Sequence, residues 1–191
     1  MLMLKRLGAY IIDCIILFFI ITLINVFIPV NGDINKLSNK LLKLSDDYIE
    51  EKISVEELRK QNEDINYEIS KATYVSSIAS IGVYLLYFVV FQAYNNGQTF
   101  GKKIFKIQVL KSDNSLVDIN TLLIRCLIPY DILVNFILVI LILFVSKPLY
   151  INISNVLNFA HMIIMVITLF MMMIKSRGIH DVLAKTKVEQ V

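Results

Sequence analysis

Residues 7–30 read LGAYIIDCIILFFIITLINVFIPV, an apolar run that a single charged residue, Asp13, interrupts. As an α-helix this run is long enough to cross the roughly 30 Å hydrocarbon core of a bilayer. Three later runs have the same character and cover residues 72–94, 121–145 and 150–174. The sequence therefore predicts an all-α membrane protein with four transmembrane helices, organised as a single membrane domain over residues 1–191.

The composition favours the same class of protein, because 57% of the 191 residues are hydrophobic and only 18% are charged. A soluble domain has roughly 45–50% apolar and about 25% charged residues. This composition excludes a secreted disulfide scaffold, a nucleic-acid-binding domain and an ordinary soluble enzyme. The lipid bilayer is the expected partner, and nucleic acid is not. Cys14 and Cys126 fall in apolar runs, where a free cysteine behaves as a small hydrophobic residue.

Basic residues cluster in three segments that lie on one side of the membrane if there are four spans. Lys5 and Arg6 precede the first run, four lysines lie between the second and third runs, and four basic residues follow the last. Cytoplasmic segments of multispanning proteins carry an excess of lysine and arginine. Both termini are therefore predicted to be cytoplasmic. The segment 31–71 has seven basic and ten acidic residues, and four-span parity assigns it to the outside.

Residues 31–71 are predicted to form a helical extracytoplasmic insertion. Their apolar residues recur near helical spacing, and Ser54 followed by Glu57 matches the capping box of a helix start. We expect two short amphipathic helices that form a small cap outside the membrane. The alternative is a solvated, charged linker.

Two short segments on the predicted cytoplasmic side indicate a small β element. Residues 104–110 alternate apolar and polar side chains over part of their length, and residues 186–191 alternate after the last run. Asp118 or Asn120 is suited to cap the helix that follows the first of these segments. Pro148 favours a tight turn between the last two runs.

Ionisable side chains inside the apolar runs need a partner or a function, because a charge at the bilayer centre costs about 2.5–3.5 kcal/mol on insertion scales. Arg6 precedes Asp13 by two helical turns on one helix face, which separates the two residues by about 10 Å. Each is therefore expected to reach another element. Asp131, near Arg125, and His161 are the other candidates. His161 is able to titrate near neutral pH, and a packed, hydrogen-bonded histidine is the alternative.

The sequence has no motif of a conventional enzyme. Residues 97–103, GQTFGKK, have three residues between the glycines where a phosphate-binding loop has four, and a lysine where that loop has serine or threonine. His161 and His180 have no cysteine neighbours and no H-E-x-x-H context. We therefore expect no metal site, no cofactor and no enzymatic activity.

Three blocks together carry a family resemblance: KRLGAYIID at residues 5–13, QTFGKKIFKIQV at 98–109 and GIHDVLAKTKV at 178–188. In order and spacing the chain resembles the RDD family of prokaryotic membrane proteins, named for one arginine and two aspartates. The resemblance implies a multi-pass protein of a prokaryotic plasma membrane. The long insertion at 31–71 departs from the compact family pattern.

The resemblance also implies which residues form the site. The family motif falls on Arg6, Asp13 and Asp181, and supporting positions fall on Gly101, Lys102, His180 and Thr186. Arg6 and Asp181 pair if the first and last spans are adjacent, and Asp13 lies deeper as a candidate proton or cation site. The alternative is that the three charges form a buried locking network without a transport role.

Two functions follow as expectations. The first is a small secondary transporter that exchanges protons for monovalent cations at Asp13, with Asp131 and His161 as further candidates. Four helices are few for alternating access, so a homo-oligomer is expected. The alternative is a non-transporting accessory protein that binds a protein partner through residues 31–71. A cavity that reaches Asp13 favours transport, and a fully packed interior favours the accessory role.

Overall fold

The computed structural model of the chain describes residues 2–28 and 32–191. These residues form a helical bundle with a two-stranded sheet at one end. The helices are α1 (Leu2–Asn25), α2 (Ile34–Ile49), α3 (Val55–Leu85), α4 (Gln92–Tyr94), α5 (Phe100–Ile104), α6 (Ile119–Cys126), α7 (Ile132–Phe144), α8 (Lys147–Lys175) and α9 (Ile179–Leu183). The strands are β1 (Ile107–Lys111) and β2 (Thr186–Gln190), and a π-helical turn, Leu86–Phe91, joins α3 to α4.

Three helical segments of the described chain are long and apolar enough to cross a membrane: α1, the continuous segment from α3 to α4, and α8. The predicted first span therefore begins earlier than residue 7 and its helix ends at Asn25. The last residues assigned to that span, 29 and 30, lie outside the described residues.

The predicted helix over residues 121–145 is wrong as a single helix. The chain breaks between α6 and α7, where Asp131 adopts the left-handed conformation with a φ of 55°. The 13 residues of α7 extend only about 20 Å at 1.5 Å per residue, which is less than the hydrocarbon thickness. The structure therefore does not confirm a count of four membrane-spanning helices.

The insertion forms a helical hairpin and not two separate short helices. The Asp33 side chain caps α2 by accepting a hydrogen bond from the Lys36 amide, and Ser54 caps α3 in the same way from the Glu57 amide. The helix that starts at Ser54 continues without interruption into the predicted second span. The second arm of the insertion is therefore an extension of a membrane helix, and the prediction of two short helices is wrong in that respect.

Contacts at the far end of the bundle fix the turn between α7 and α8. Lys147 Nζ lies 2.9 Å from Asp64 Oδ1 and 3.6 Å from Glu68 Oε1, so the start of α8 is paired with α3. The Tyr67 and Tyr150 rings pack edge to face with centroids 5.4 Å apart. We call the end that carries these contacts and α2 the cap end.

The predicted β element is present at the opposite end. Strand β1 pairs antiparallel with β2, and Val109 lies opposite Val188. The buried side chains of both valines join a core that includes Leu17, Phe88 and Leu122. The N-terminal part of α1 lies beside the sheet, because Lys5 donates to the Gln190 side chain at 2.9 Å. We call this end of the bundle, where the first turns of α1 meet both strands, the termini end.

Candidate functional site

Asp13 is completely surrounded by hydrogen-bond donors. The residue is 1% exposed. Its Oδ1 accepts from the Tyr87 hydroxyl at 2.7 Å and from the Gly101 amide at 2.8 Å, and its Oδ2 accepts from the Thr99 hydroxyl at 2.6 Å. The carboxylate therefore ties α1 to the π-helical turn and to the start of α5.

Gly101 permits this arrangement because it brings α5 directly against the backbone of α1. A Cβ atom at residue 101 would lie 2.2 Å from the Ala9 carbonyl oxygen and 2.9 Å from Asp13 Oδ1. The side chain of Thr99, which is fully buried, also caps α5 by accepting from the Lys102 amide at 3.3 Å. A larger residue at 101 would push α5 away from Asp13.

Asp181 lies between two guanidinium groups in the interior. Its side chain is 0% exposed, with Arg6 Nη2 2.6 Å from Oδ2 and Arg125 Nη2 2.8 Å from Oδ1. The Gly178 amide donates to Oδ2 at 3.0 Å. Burial alone would raise the pKa of the Asp181 carboxyl, but Arg125, His180 and Arg6 outweigh it and hold that pKa well below its usual range.

The two arginines extend this network to other elements. Arg6 donates to the Ser176 carbonyl at 2.6 Å, just after α8, and Arg125 donates to the Thr186 hydroxyl at 3.2 Å, in β2. The structure thus brings together Arg6, Asp181, His180 and Thr186, and it adds Arg125. The sequence analysis grouped Arg125 with Asp131. The sequence does contain a signal for this contact: an arginine lies in an apolar run, and a positively charged side chain that is buried requires an acidic partner.

His180 is buried beside the same pair. It is 6% exposed, and its Nε2 lies 3.4 Å from Arg6 Nη2 and 3.5 Å from Asp181 Oδ2. Burial and the nearby Arg125 charge lower the pKa of His180 to about 3, so the ring is neutral at neutral pH. Its Nδ1 atom has no hydrogen-bond partner among the described residues.

A cavity of about 310 Å³ lies at the termini end between α1, α6 and α8. Most of its lining is apolar. The polar and charged side chains that line it are Arg6, Asp13, Gln92, Lys102, Arg125, Thr168 and His180. Thr168 is 3% exposed, and its hydroxyl, like His180 Nδ1, is buried without a partner in the described part of the chain. The cavity therefore brings together four of the seven motif and supporting residues that the resemblance implies, namely Arg6, Asp13, Lys102 and His180.

Lys102 adds a third basic group to the cavity. Its Nζ donates to Gln92 Oε1 at 3.2 Å, and no carboxylate of the described residues lies within salt-bridge distance of it. Burial and the charges of Arg125 and Arg6 lower the pKa of Lys102 to about 7, although Asp13 and Asp181 act in the opposite direction. Burial is the largest cause, because it disfavours the charged ammonium, and the two guanidinium charges act in the same direction.

Asp131 and His161 form a separate pair. His161 Nδ1 lies 3.1 Å from Asp131 Oδ1, and His161 Nε2 lies 2.8 Å from the Ile128 carbonyl oxygen. Asn135 donates to Asp131 Oδ2 at 3.2 Å. Neither residue of the pair lines the cavity. The structure therefore places these two further candidates together and apart from Asp13.

Comparison with known proteins gives one match. The model of the RDD family matches residues 2–185, which is nearly the whole chain. No curated protein and no solved structure matches the chain. Within residues 2–28 and 32–191, no group of three or more histidine, cysteine, aspartate or glutamate side chains is arranged to hold a metal ion.

The close approach at Gly101 makes a specific prediction. Gly101→Ala should lower the free energy of unfolding by about 1–3 kcal/mol or more, the usual cost of overpacking, because the new Cβ collides with the Ala9 carbonyl. Gly82→Ala is the matched control, since a Cβ there meets nothing within 4 Å, and alanine stabilises a helix interior by up to about 1 kcal/mol. Denaturant unfolding in detergent measures both. Equal effects of the two substitutions would contradict the docking of α5 on α1.

The buried neutral His180 predicts a pH dependence. Its pKa is about 3 in the folded protein and about 6.5 when unfolded. Between these values the unfolded state binds more protons, so stability rises with pH and is lost as the pH falls from 6.5 toward 3. The unfolding midpoint of the wild type should therefore decrease when the pH is lowered from 7.5 to 5. In His180→Gln the midpoint should decrease less over the same pH range. His161→Gln, as the control, should keep the part of the decrease that His180 contributes. An unchanged slope in His180→Gln would refute this assignment.

Proposed function

The chain belongs to the RDD family, and on that basis we propose that it is a non-enzymatic membrane protein that binds an anion in the cavity at its termini end. The observation that carries this proposal is the charge balance of the cavity lining. Three basic side chains and two carboxylates line or border the cavity, so their formal charge is 3 − 2 = +1 when Lys102 is protonated, which its pKa of about 7 places below neutral pH. These side chains are Arg6, Lys102, Arg125, Asp13 and Asp181.

Both carboxylates are already satisfied by the protein. Asp13 accepts from three donors and Asp181 lies between two guanidinium groups. Asp181 lies outside the lining, and three of the roughly four acceptor sites of the Asp13 carboxylate are already occupied by protein donors. A cleft lined by one sign of charge, with apolar walls, raises the local concentration of the opposite charge. The remaining positive charge therefore favours an anion.

The guanidinium groups keep donors for a ligand. A guanidinium carries five N–H groups, and Arg125 uses one Nη2 contact for Asp181 and one Nη1 contact for Thr186. Arg6 uses its contacts for Asp181 and the Ser176 carbonyl. The spare N–H groups of both residues are suited to an oxyanion, since planar guanidinium matches carboxylate and phosphate geometry.

Exchange of protons for monovalent cations is a second candidate function, and one observation favours it: the cavity reaches Asp13. In this function Asp13 would release its donors and bind a cation in their place. Homo-oligomer formation, recognition of a protein partner by residues 31–71 and cytoplasmic termini stay predictions of the sequence.

Sulfate serves as a simple probe of anion binding. At pH 6.5 and constant ionic strength, millimolar sulfate should raise the unfolding midpoint of the detergent-solubilised wild type. Lys102→Gln should show a much smaller rise, because it removes one cavity charge without disturbing Asp181. Lys147→Gln is the control, since it removes a lysine at the cap end. Equal rises in all three proteins would mean general salt stabilisation and would contradict the proposal, as would no rise at all.

The second candidate is tested by proton flux in proteoliposomes on addition of Na⁺, K⁺ or Li⁺. Exchange at Asp13 predicts cation-dependent flux in the wild type that is lost in Asp13→Asn and kept in Asp131→Asn, because Asp131 lies outside the cavity. Thr99→Val, which keeps the carboxylate and removes one donor, should alter the flux without abolishing it. Folded wild-type protein that gives no flux would exclude exchange of these ions.

A further inference from the structure

The cavity is open on the side of the bundle that faces lipid. Leu7, Tyr10 and Leu169 all line it, yet they are 46%, 40% and 46% exposed. Leu7 and Tyr10 belong to α1 and Leu169 belongs to α8, and both helices are candidate membrane spans. The opening therefore lies between two candidate spans, at a surface of exposed apolar side chains that suits contact with lipid. A ligand can reach the cavity from the bilayer.

The walls of the cavity differ in chemistry. The basic groups come from α1, α5 and α6, whereas α8 contributes Met165, Leu169 and Met172 together with Thr168. Methionine side chains are flexible and adapt to irregular apolar partners. One wall therefore suits an oxyanion and the opposite wall suits a hydrocarbon chain. A small inorganic anion would leave the apolar wall without a partner.

Two buried polar groups are also unused by the protein. Thr168 and His180 line the cavity, each is more than nine-tenths buried, and the Thr168 hydroxyl and His180 Nδ1 have no partner in the described chain. An unpaired buried polar group costs about 1–3 kcal/mol, so such groups in native proteins need an explanation. Both side chains stand in the lining beside the two arginines, but the two atoms themselves are closed off from solvent, so a head group reaches them only if these side chains rotate.

We infer that the ligand of this cavity is an anionic amphiphile drawn from the bilayer, with a phosphate-type head group at Arg6, Arg125 and Lys102 and a hydrocarbon chain that leaves between α1 and α8. This inference rests on the proposed anion binding and specifies its substrate class. The volume of about 310 Å³ is at the lower limit of the roughly 300–1,000 Å³ of ligand pockets. It accommodates the head group and the first part of the chain, and the rest of the chain remains in lipid.

The chain contains no tryptophan, so one introduced indole reports on the opening alone. Leu169→Trp places the fluorophore at the opening, and Phe170→Trp places it on the neighbouring residue of α8, which is exposed and does not line the cavity. Both variants, in dodecyl maltoside micelles, are titrated with dodecyl phosphate brominated along its chain, which quenches indole on contact. We expect Leu169→Trp to be quenched at several-fold lower concentration than Phe170→Trp. Adding Lys102→Gln should remove most of that difference.

Three comparison titrations separate the inference from the proposed function. Non-brominated dodecyl phosphate should reverse the quenching, and inorganic phosphate at equal concentration should not. If inorganic phosphate reverses the quenching as effectively as dodecyl phosphate does, the ligand is not an amphiphile, although anion binding still holds. Equal quenching by a brominated dodecyltrimethylammonium ion would overturn both, because the cavity would then accept any chain. Equal quenching of the two tryptophan variants would overturn the lateral opening.

Discussion

The structure depends on one buried ion cluster, in which the carboxylate of Asp181 is held between the guanidinium groups of Arg6 and Arg125. Removing an ion from water costs several kcal/mol even in a real protein, and only close pairing with further hydrogen bonds compensates. Because the partners come from α1, α6 and α9, satisfying this charge fixes those elements together. One carboxylate cannot neutralise two arginines; Asp13 offsets the second one in the formal charge of the cavity, and Lys102 supplies the remaining positive charge.

Asp13 provides the second constraint and positions the segment that carries the third basic group. Its three donors belong to the π-helical turn and the start of α5, so it anchors the segment that carries Lys102. The two aspartates of the family motif therefore serve as fixed acceptors, one for arginines and one for neutral donors. The basic side chains are left as the groups that a ligand can engage, and the apolar wall of α8 decides what kind of anion fits.

Long apolar runs predict α1 and α8, and the alternation of apolar and polar residues predicts the small sheet. Both patterns are local signals that the sequence shows directly. Hydropathy could not predict the break at Asp131, since an apolar run remains apolar when the backbone turns. The Ser54 cap was predicted, but nothing in the composition marks a helix that continues from the insertion into the membrane. Arg125 was noted without its partner, because Asp181 is distant in sequence and only the fold brings the two together.

A double-mutant cycle on Arg125 and Asp181 tests the role of the ion cluster most directly. The free energy of unfolding is measured in detergent for Arg125→Gln, Asp181→Asn and the double variant. Our account predicts that Asp181→Asn costs about 3–5 kcal/mol, as expected when one partner of a buried pair is removed, and that Arg125→Gln costs less, because Arg6 still pairs with Asp181. The double variant should lose less than the sum of the two, since Asp181→Asn then no longer leaves Arg125 unpaired. Additive losses would contradict the account, because they would mean that the two residues stabilise the protein independently.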